Sequence, residues 1–178
     1  MTRWVLWLLG GLLLGGVVHL STVLALPRTA AHDAYARLVP ITPVNKVVPI
    51  STTQSAVMPF MDPAFATAVC RYDLSRGALK LTAPISQSYT AVSFYTRYGI
   101  AYYAINDRAA GRKVIELDLM TPKQRELLPE EEDVTAADRL IVESPTVTGL
   151  IVLKALSAEP GLMPMAESVL SAAQCKPQ

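Results

Sequence analysis

The sequence predicts an α+β protein, in which an N-terminal transmembrane helix precedes a mainly antiparallel β domain, sandwich-like or jelly-roll-like, with C-terminal helices. Three features support this prediction. The chain opens with an uncharged apolar run, short β-branched and aromatic runs fill its middle, and apolar residues at helical spacing return near its end. We place an anchor at residues 1–28, a membrane-proximal helix with a proline-rich extended connector at 29–63, and the β-rich domain at 64–178.

The anchor contains twenty-three uncharged residues, 4–26, between Arg3 and Arg28. A helix rising about 1.5 Å per residue needs this length to cross a hydrocarbon core about 30 Å thick. Because Arg28 offsets Arg3, the charge rule is nearly balanced, and the short N-terminal tail decides the orientation. We predict a single pass through the inner membrane, with a cytoplasmic N-terminus and a periplasmic domain. A signal peptide cleaved near residues 29–31 is the alternative.

One face of the anchor carries small and polar residues at four-residue steps. Gly11, Gly15 and His19 share this face, which would let a second helix approach closely. Glycine is also common in membrane helices that have no partner, and His19 stands close enough to the C-terminal end to reach the interface. The sequence leaves both interpretations open.

The positions of proline and glycine predict the connector and the first strands. Residues 30–38 have apolar residues at helical spacing, which predicts a short helix, and five prolines between Pro40 and Pro63 predict an extended segment whose valines pack on the domain. Glycine-containing turns and alternating residues then predict an antiparallel meander. Its strands are 65–72, 78–82, 88–96, 100–106 and 113–120.

The last third of the chain mixes helices with one strand. Thr121 followed by proline predicts a short capped helix, and residues 130–133 form a solvated acidic loop. We predict a strand at 138–143 and two helices at 144–156 and 162–175, because apolar residues recur there at helical spacing.

Composition excludes several functional classes. From residue 27 onward fifteen basic residues balance fifteen acidic ones, so no nucleic-acid partner is predicted. Outside the anchor the single histidine is His32, and the two cysteines are far apart, so we predict no metal site and no cofactor. In an oxidising compartment Cys70 and Cys175 would form a disulfide, whereas two unrelated thiols are the equally open alternative.

Catalytic templates are absent, and one cluster remains as a candidate ligand site. Arg71, Tyr72 and Asp73 end one predicted strand, and Arg97 and Tyr98 lie in a turn. Arginine forks and tyrosine rings suit a sugar or an anion. The alternative is that tyrosines cover a half-buried sheet. No catalytic residue is assigned, and the sequence leaves enzymatic activity open.

Three stretches resemble a known family. They are DPAFATAVCRYDLSRGALKLTAP (62–84), SYTAVSFYTRYGIAYYAIND (88–107) and DRLIVESPTVTGLIVLKAL (138–156). They resemble the bacterial domain of unknown function 1254 family, and the chain is similar to its short, membrane-anchored alpha-proteobacterial members. Longer members carry an Asn-x-Asp-Thr-x-Tyr-like motif before the YDLS-type strand. Residues 62–66 depart from it, so no catalytic residue is carried over.

The resemblance also implies a partner. Longer members join this domain to a second one, domain of unknown function 1214, and we expect a separate, similarly anchored membrane protein to supply it here. That partner would face Gly11, Gly15 and His19. The leading hypothesis is therefore a structural or interaction module of the envelope, and the alternative is an envelope hydrolase or a carbohydrate- or anion-binding protein.

Overall fold

The computed structural model describes residues 2–29, 33–51, 58–110, 113–128 and 140–178. The chain divides into two compact units, Met1–Asp33 and Ala34–Gln178. The first unit is one helix, α1 (Thr2–Thr29). Its segment Arg3–Leu26, with a mean hydropathy of 1.9, is long and apolar enough to cross a membrane, a criterion that some signal sequences also meet.

The second unit consists of two β-sheets and short helices. Its helices are α2 (Ala34–Leu38), α3 (Asp107–Ala110), α4 (Pro122–Glu126) and α5 (Met163–Ser171). The first sheet has the strand order β1 (Val47–Ile50), β2 (Phe65–Asp73), β8 (Thr148–Leu156), β4 (Thr90–Thr96), β5 (Ala101–Asn106). The second has the order β7 (Leu140–Glu143), β6 (Val114–Met120), β3 (Leu79–Pro84), β9 (Gln174–Pro177). Every neighbouring pair is antiparallel except β6 with β7.

The main core lies between the sheets. Alternate residues of β2, β3, β4 and β8 are buried in it, which is the pattern expected when one face of a sheet packs on another sheet. On β2 these are Ala66, Ala68, Cys70 and Tyr72, and they share one apolar cluster with residues of β3, β4, β6, β8 and α5. Both predictions of the fold class, α+β and mainly antiparallel, are confirmed.

A disulfide joins the two sheets. Cys70 on β2 is bonded to Cys175 on β9, with the Cα atoms 6.6 Å apart, and both residues are buried. The bond closes a loop with a sequence separation of 105 residues. It therefore fixes the C-terminal strand to a strand near the start of the domain.

The segment predicted as a connector belongs to the body. Its residues 34–51 and 58–61 form what we call the arm. The strand β1 of the arm is an edge strand of the first sheet, and apolar side chains of the arm pack on the outer face of that sheet. A second apolar cluster joins the two surfaces: Leu38 and Ile50 from the arm, Val69 and Leu150 from the sheet, with Tyr35, Ile41, Met58 and Met61 packed against them. Within the arm, β1 pairs with β2. The outer face of β2 and β8 is thus covered.

Two predictions of topology are wrong. Of the five strands predicted as a meander, β4 and β5 are the only consecutive ones that pair, because β3 pairs with β6 in the second sheet and β8 inserts between β2 and β4. The predicted helix at 144–156 is this central strand. Both faces of β8 are covered, so its sequence is a continuous apolar run that resembles a buried helix.

The C-terminal end also differs from the prediction. The helix expected at 162–175 ends at Ser171, and β9 follows it at the edge of the second sheet. Four residues are too few to show a β pattern, and the pairing with β3 is set by distant contacts. The acidic residues 130–133 lie outside the described residues.

Candidate functional site

The five residues of the predicted ligand cluster lie in three places. Because successive side chains on a strand point to opposite faces, Tyr72 enters the core while Arg71 and Asp73 point outward. Arg97 and Tyr98 lie in the turn between β4 and β5. The side chains of Arg71 and Asp73 therefore lie on one face of the first sheet, and the side chain of Tyr72 lies on the opposite face.

Arg71 and Asp73 fasten the arm to β2. The Arg71 guanidinium donates from Nε to the Thr42 carbonyl oxygen at 3.0 Å, and the Asn45 N–H donates to the Arg71 carbonyl oxygen at 2.8 Å. The Asn45 side chain accepts from the Asp73 N–H at 2.9 Å and donates to its carbonyl oxygen at 3.2 Å. Asn45 has φ 55°, a left-handed conformation that asparagine tolerates. These groups are engaged in holding two segments together.

The Asp73 carboxylate closes the turn between β2 and β3. It accepts the Ser75 N–H at 2.9 Å. This backbone bond, a bond from the Ser75 side chain and the nearby cations Arg76 and Arg71 hold the pKa of Asp73 below its usual range. Asp73 is thus a carboxylate at neutral pH whose stabilising partners belong to its own turn.

Tyr72 is the centre of a buried cluster of hydroxyl groups. Its hydroxyl lies 2.9 Å from Ser144 Oγ, accepts from the Tyr102 hydroxyl at 3.2 Å and donates to the Tyr95 carbonyl oxygen at 3.3 Å. Ser144 Oγ in turn donates to the Thr146 carbonyl oxygen at 2.6 Å. Burial raises the pKa of Tyr102 well above its usual range. Tyr102 is therefore protonated at neutral pH, and the cluster acts as a hydrogen-bonding structural unit.

Gly149 makes room for this cluster. A Cβ at this position would overlap the Tyr72 hydroxyl oxygen and the Tyr95 carbonyl oxygen, and would lie 2.5 Å from Tyr72 Cζ. Only a residue without a side chain fits beneath the tyrosine ring. Sequence reasoning missed this role of Gly149, together with those of Ser144 and Tyr102. The available signal was a glycine inside an apolar run, which often marks close approach of another group.

The turn between β4 and β5 rests on the arm. The Arg97 guanidinium carbon lies 4.5 Å from the centre of the Tyr35 ring on α2, a distance typical of a cation–π contact. The Tyr98 N–H donates to Thr96 Oγ1 at 3.3 Å, and the Tyr98 ring is 41% exposed. This part of the predicted cluster is a second attachment point for the arm.

A cleft of about 280 Å³ opens elsewhere, between β1, β2 and α5. It is lined by Pro49, Ile50, Ser51, Ala66, Thr67, Glu167 and Leu170. None of the five predicted ligand residues lines this cleft. Within the described residues, no group of three or more His, Cys, Asp or Glu side chains is placed to hold a metal ion.

The glycine face of α1 is open within the first unit. A Cβ added at Gly11 or at Gly15 would meet no atom within 4 Å, and His19 is exposed. The two small residues therefore serve no packing contact in this unit.

Comparison with solved structures shows the fold in larger chains. Over 83% of this chain, the VPA0106 protein from Vibrio parahaemolyticus matches with a TM-score of 0.61 and 10% identity, and 35% of that protein is covered. An uncharacterised protein from Burkholderia cenocepacia matches over 83% of the chain with a TM-score of 0.53 and 13% identity, and 37% of it is covered. The chain spans about a third of the length of both.

Comparison with sequences agrees with this fold. No curated protein matches the chain. The family model described as "Protein of unknown function (DUF1254)" matches residues 44–177, which include every strand of both sheets. The chain belongs to the DUF1254 family.

Proposed function

We propose that this protein is a single-pass, membrane-anchored component of the bacterial cell envelope whose body is an interaction module for a second polypeptide. One observation carries the proposal. The body of this chain corresponds to about a third of larger folded chains, in which the same fold is accompanied by roughly twice its own length of further polypeptide. The further polypeptide in these two chains supports the proposal that this domain acts together with a partner.

Two features support the membrane and the compartment. The segment Arg3–Leu26 has the length and apolarity of an anchor. The buried disulfide between Cys70 and Cys175 favours an oxidising compartment, because cytosolic thiols are kept reduced. Together they support an inner-membrane anchor with a cytoplasmic N-terminus and a periplasmic body.

The local chemistry favours interaction over catalysis. The residues that a carbohydrate- or anion-binding function would use are engaged in holding the arm, closing a turn and filling the core. Among the residues that the structure describes, the hydrogen-bond partners of the Tyr72, Tyr102 and Ser144 hydroxyls include no histidine, lysine or carboxylate that could act as a base. These features favour an interaction module over a hydrolase.

The partner we propose is a similarly anchored protein that carries the companion domain 1214, as the family resemblance implies. Gly11, Gly15 and His19 are the contact we assign to its membrane helix. Small residues allow close approach of two helices in a bilayer, where van der Waals packing drives association. A leucine at Gly11 or Gly15 would hold the helices apart without disturbing any contact within the first unit.

Co-purification tests this proposal. A tagged full chain is extracted in mild detergent beside the variants Gly11→Leu and Gly15→Leu, and captured proteins are identified. Gly10→Leu is the matched control, because its Cβ also meets no atom within 4 Å but points away from the face that carries Gly11 and Gly15. We expect the parent and the control to retain a companion-domain protein and both test variants to lose it. A parent that runs as a monomer would overturn the proposal.

A further inference from the structure

One edge of the first sheet is open to pairing. In the part of the chain that the structure describes, β5 pairs with β4 alone, so the backbone N–H and C=O groups on its other side have no strand beside them. Proteins usually protect such an edge with proline, with charged residues or by keeping the strand very short. The six residues of β5, AYYAIN, include no proline and no charged residue. The backbone of β5 is therefore suited to pair with a further strand.

The other edge strands of the described sheets carry this protection. β1 contains Pro49 and β9 contains Pro177, and a proline cannot donate a hydrogen bond to a neighbouring strand. β7 has four residues, and its Glu143 forms an ion pair with Arg125 at 2.7 Å. Because β5 alone among these edges lacks such features, it is the edge at which we expect strand addition.

The side chains of β5 define what kind of strand fits there. Tyr103 and Ile105 are half-buried and pack against the main core from its edge. Ala104 lies between them, so it points to the opposite face, where it is exposed. A strand beside β5 would extend the core with an apolar residue at every second position. The occupant that fits is an extended segment of about six residues with alternating apolar side chains.

A second observation concerns the residue that follows β5. Asp107 begins α3 directly after the strand, and its Oδ1 atom is buried with no hydrogen-bond partner among the described residues. Buried polar atoms nearly always have a partner in native proteins, so an unpaired carboxylate oxygen indicates a missing donor. A lysine or an arginine would satisfy it with a charge-assisted hydrogen bond. Charge complementarity therefore adds a basic residue to the expected occupant.

We infer that β5 is the site at which a strand of the companion protein joins the first sheet, with a basic residue of that strand bound to Asp107. This inference rests on the proposed function, in which a second polypeptide accompanies the body. In both larger solved chains, most of the polypeptide lies outside the match and could supply such a strand. A second copy of this chain lacks the basic residue: a symmetric antiparallel pairing of β5 with itself, centred on the strand, places Ile100 opposite Asp107.

Hydrogen exchange tests where the partner strand lies. The tagged full chain is measured in mild detergent, once produced alone and once co-purified with the companion protein. In an edge strand about half of the amides face away from the neighbouring strand, and an added strand would pair with them. We expect deuterium uptake by residues 101–106 to fall in the complex. The edge strand β9 is the internal control, and its uptake should not change.

A variant tests the contact assigned to the carboxylate. Asp107→Ala removes an unpaired buried oxygen, so the lone chain should be at least as stable as the parent. Retention of the companion protein should nevertheless fall about tenfold, as the loss of a charge-assisted hydrogen bond predicts. Glu126→Ala is the matched control, because it also removes one acidic side chain but is exposed on α4, outside the edge. It should retain the companion as the parent does.

The outcomes separate this inference from the proposed function. A companion protein that is retained while uptake at β5 stays unchanged would overturn the inference and leave the proposed function intact. The same holds for an Asp107→Ala variant that retains the companion as well as the control. A parent that runs as a monomer would overturn both. Protection of β5 in a dimer of this chain alone would assign the edge to a second copy and would also overturn the inference.

Discussion

The substitution Gly149→Ala should disrupt the buried hydroxyl cluster. The added Cβ would lie 2.5 Å from Tyr72 Cζ, about 1 Å inside the optimal separation of two carbon atoms, which is about 3.5 Å. It would also overlap the backbone carbonyl oxygen of Tyr95, which a rotamer change cannot move. Overpacking of this kind lowers the free energy of unfolding by about 1–3 kcal/mol. Because the Cβ would overlap both the Tyr72 ring and the Tyr95 backbone, we expect a loss of about 3 kcal/mol.

The assay is urea and thermal unfolding of the full chain in detergent. For a chain of this size, a loss of about 3 kcal/mol should lower Tm by about 6–12 °C. The control is Gly161→Ala, because a Cβ at Gly161 would meet no atom within 4 Å. At an open site of this kind the change should leave the free energy of unfolding equal or higher by about 0.4–1 kcal/mol.

A double variant separates overlap from a general effect of alanine. Tyr72→Phe alone removes the hydroxyl that Tyr102 and Ser144 contact, and should cost about 1–3 kcal/mol. In the Gly149→Ala background the same change also removes one of the overlaps, so the double variant should lose less than the sum of the single losses. Additive losses, or a Gly149→Ala protein as stable as the Gly161→Ala control, would refute this account of the site.

Three further predictions concern the disulfide, the partly buried Tyr102 and the orientation of the chain. Replacing both cysteines, Cys70→Ala with Cys175→Ala, should lower the free energy of unfolding by up to about 4.7 kcal/mol, and a variant as stable as the parent in urea would contradict the role given to the bond. Tyr102 has a raised pKa in the folded state, so its contribution to stability is complete below about pH 10, the pKa of an unfolded tyrosine, and declines as pH rises above it. Tyr102→Phe should therefore flatten the alkaline limb of a stability profile, and an unchanged slope would argue against burial of this hydroxyl. A protease added to spheroplasts should digest the body while intact cells protect it; a body that survives in spheroplasts would place it in the cytoplasm.

The sequence predicted the position of most strands, but it predicted few of the pairings between strands. Alternation along β2 and β6 follows from local residue types, and each lies within a residue or two of its predicted range. Pairing is set by contacts between distant segments. The register that places Phe65 opposite Leu156 joins residues that no short sequence window contains.

The side chains of the candidate ligand site do not share one face of the sheet, and the sequence already gives the reason. Arg71, Tyr72 and Asp73 are consecutive on a strand, so the central side chain must point away from the other two. A ligand pocket at this strand end could have used Arg71 and Asp73, or Tyr72, but not all three. No local sequence pattern could show the role of Asn45, which lies 28 residues before Asp73 and binds its backbone.

The arm shows how the parts of the body depend on one another. Because β2 and β8 are central strands, both of their faces must be covered, and on the outer face the arm covers Val69 and Leu150. The arm is held there by Arg71 and Asn45, and it is also the part of the body through which the chain leads back to α1. The hydrogen bonds of Arg71 and Asn45 therefore hold the arm on the sheet in addition to the apolar contacts of the second cluster. Weakening them should loosen the arm before it unfolds the core, since the main cluster and the disulfide lie on the other face of the first sheet.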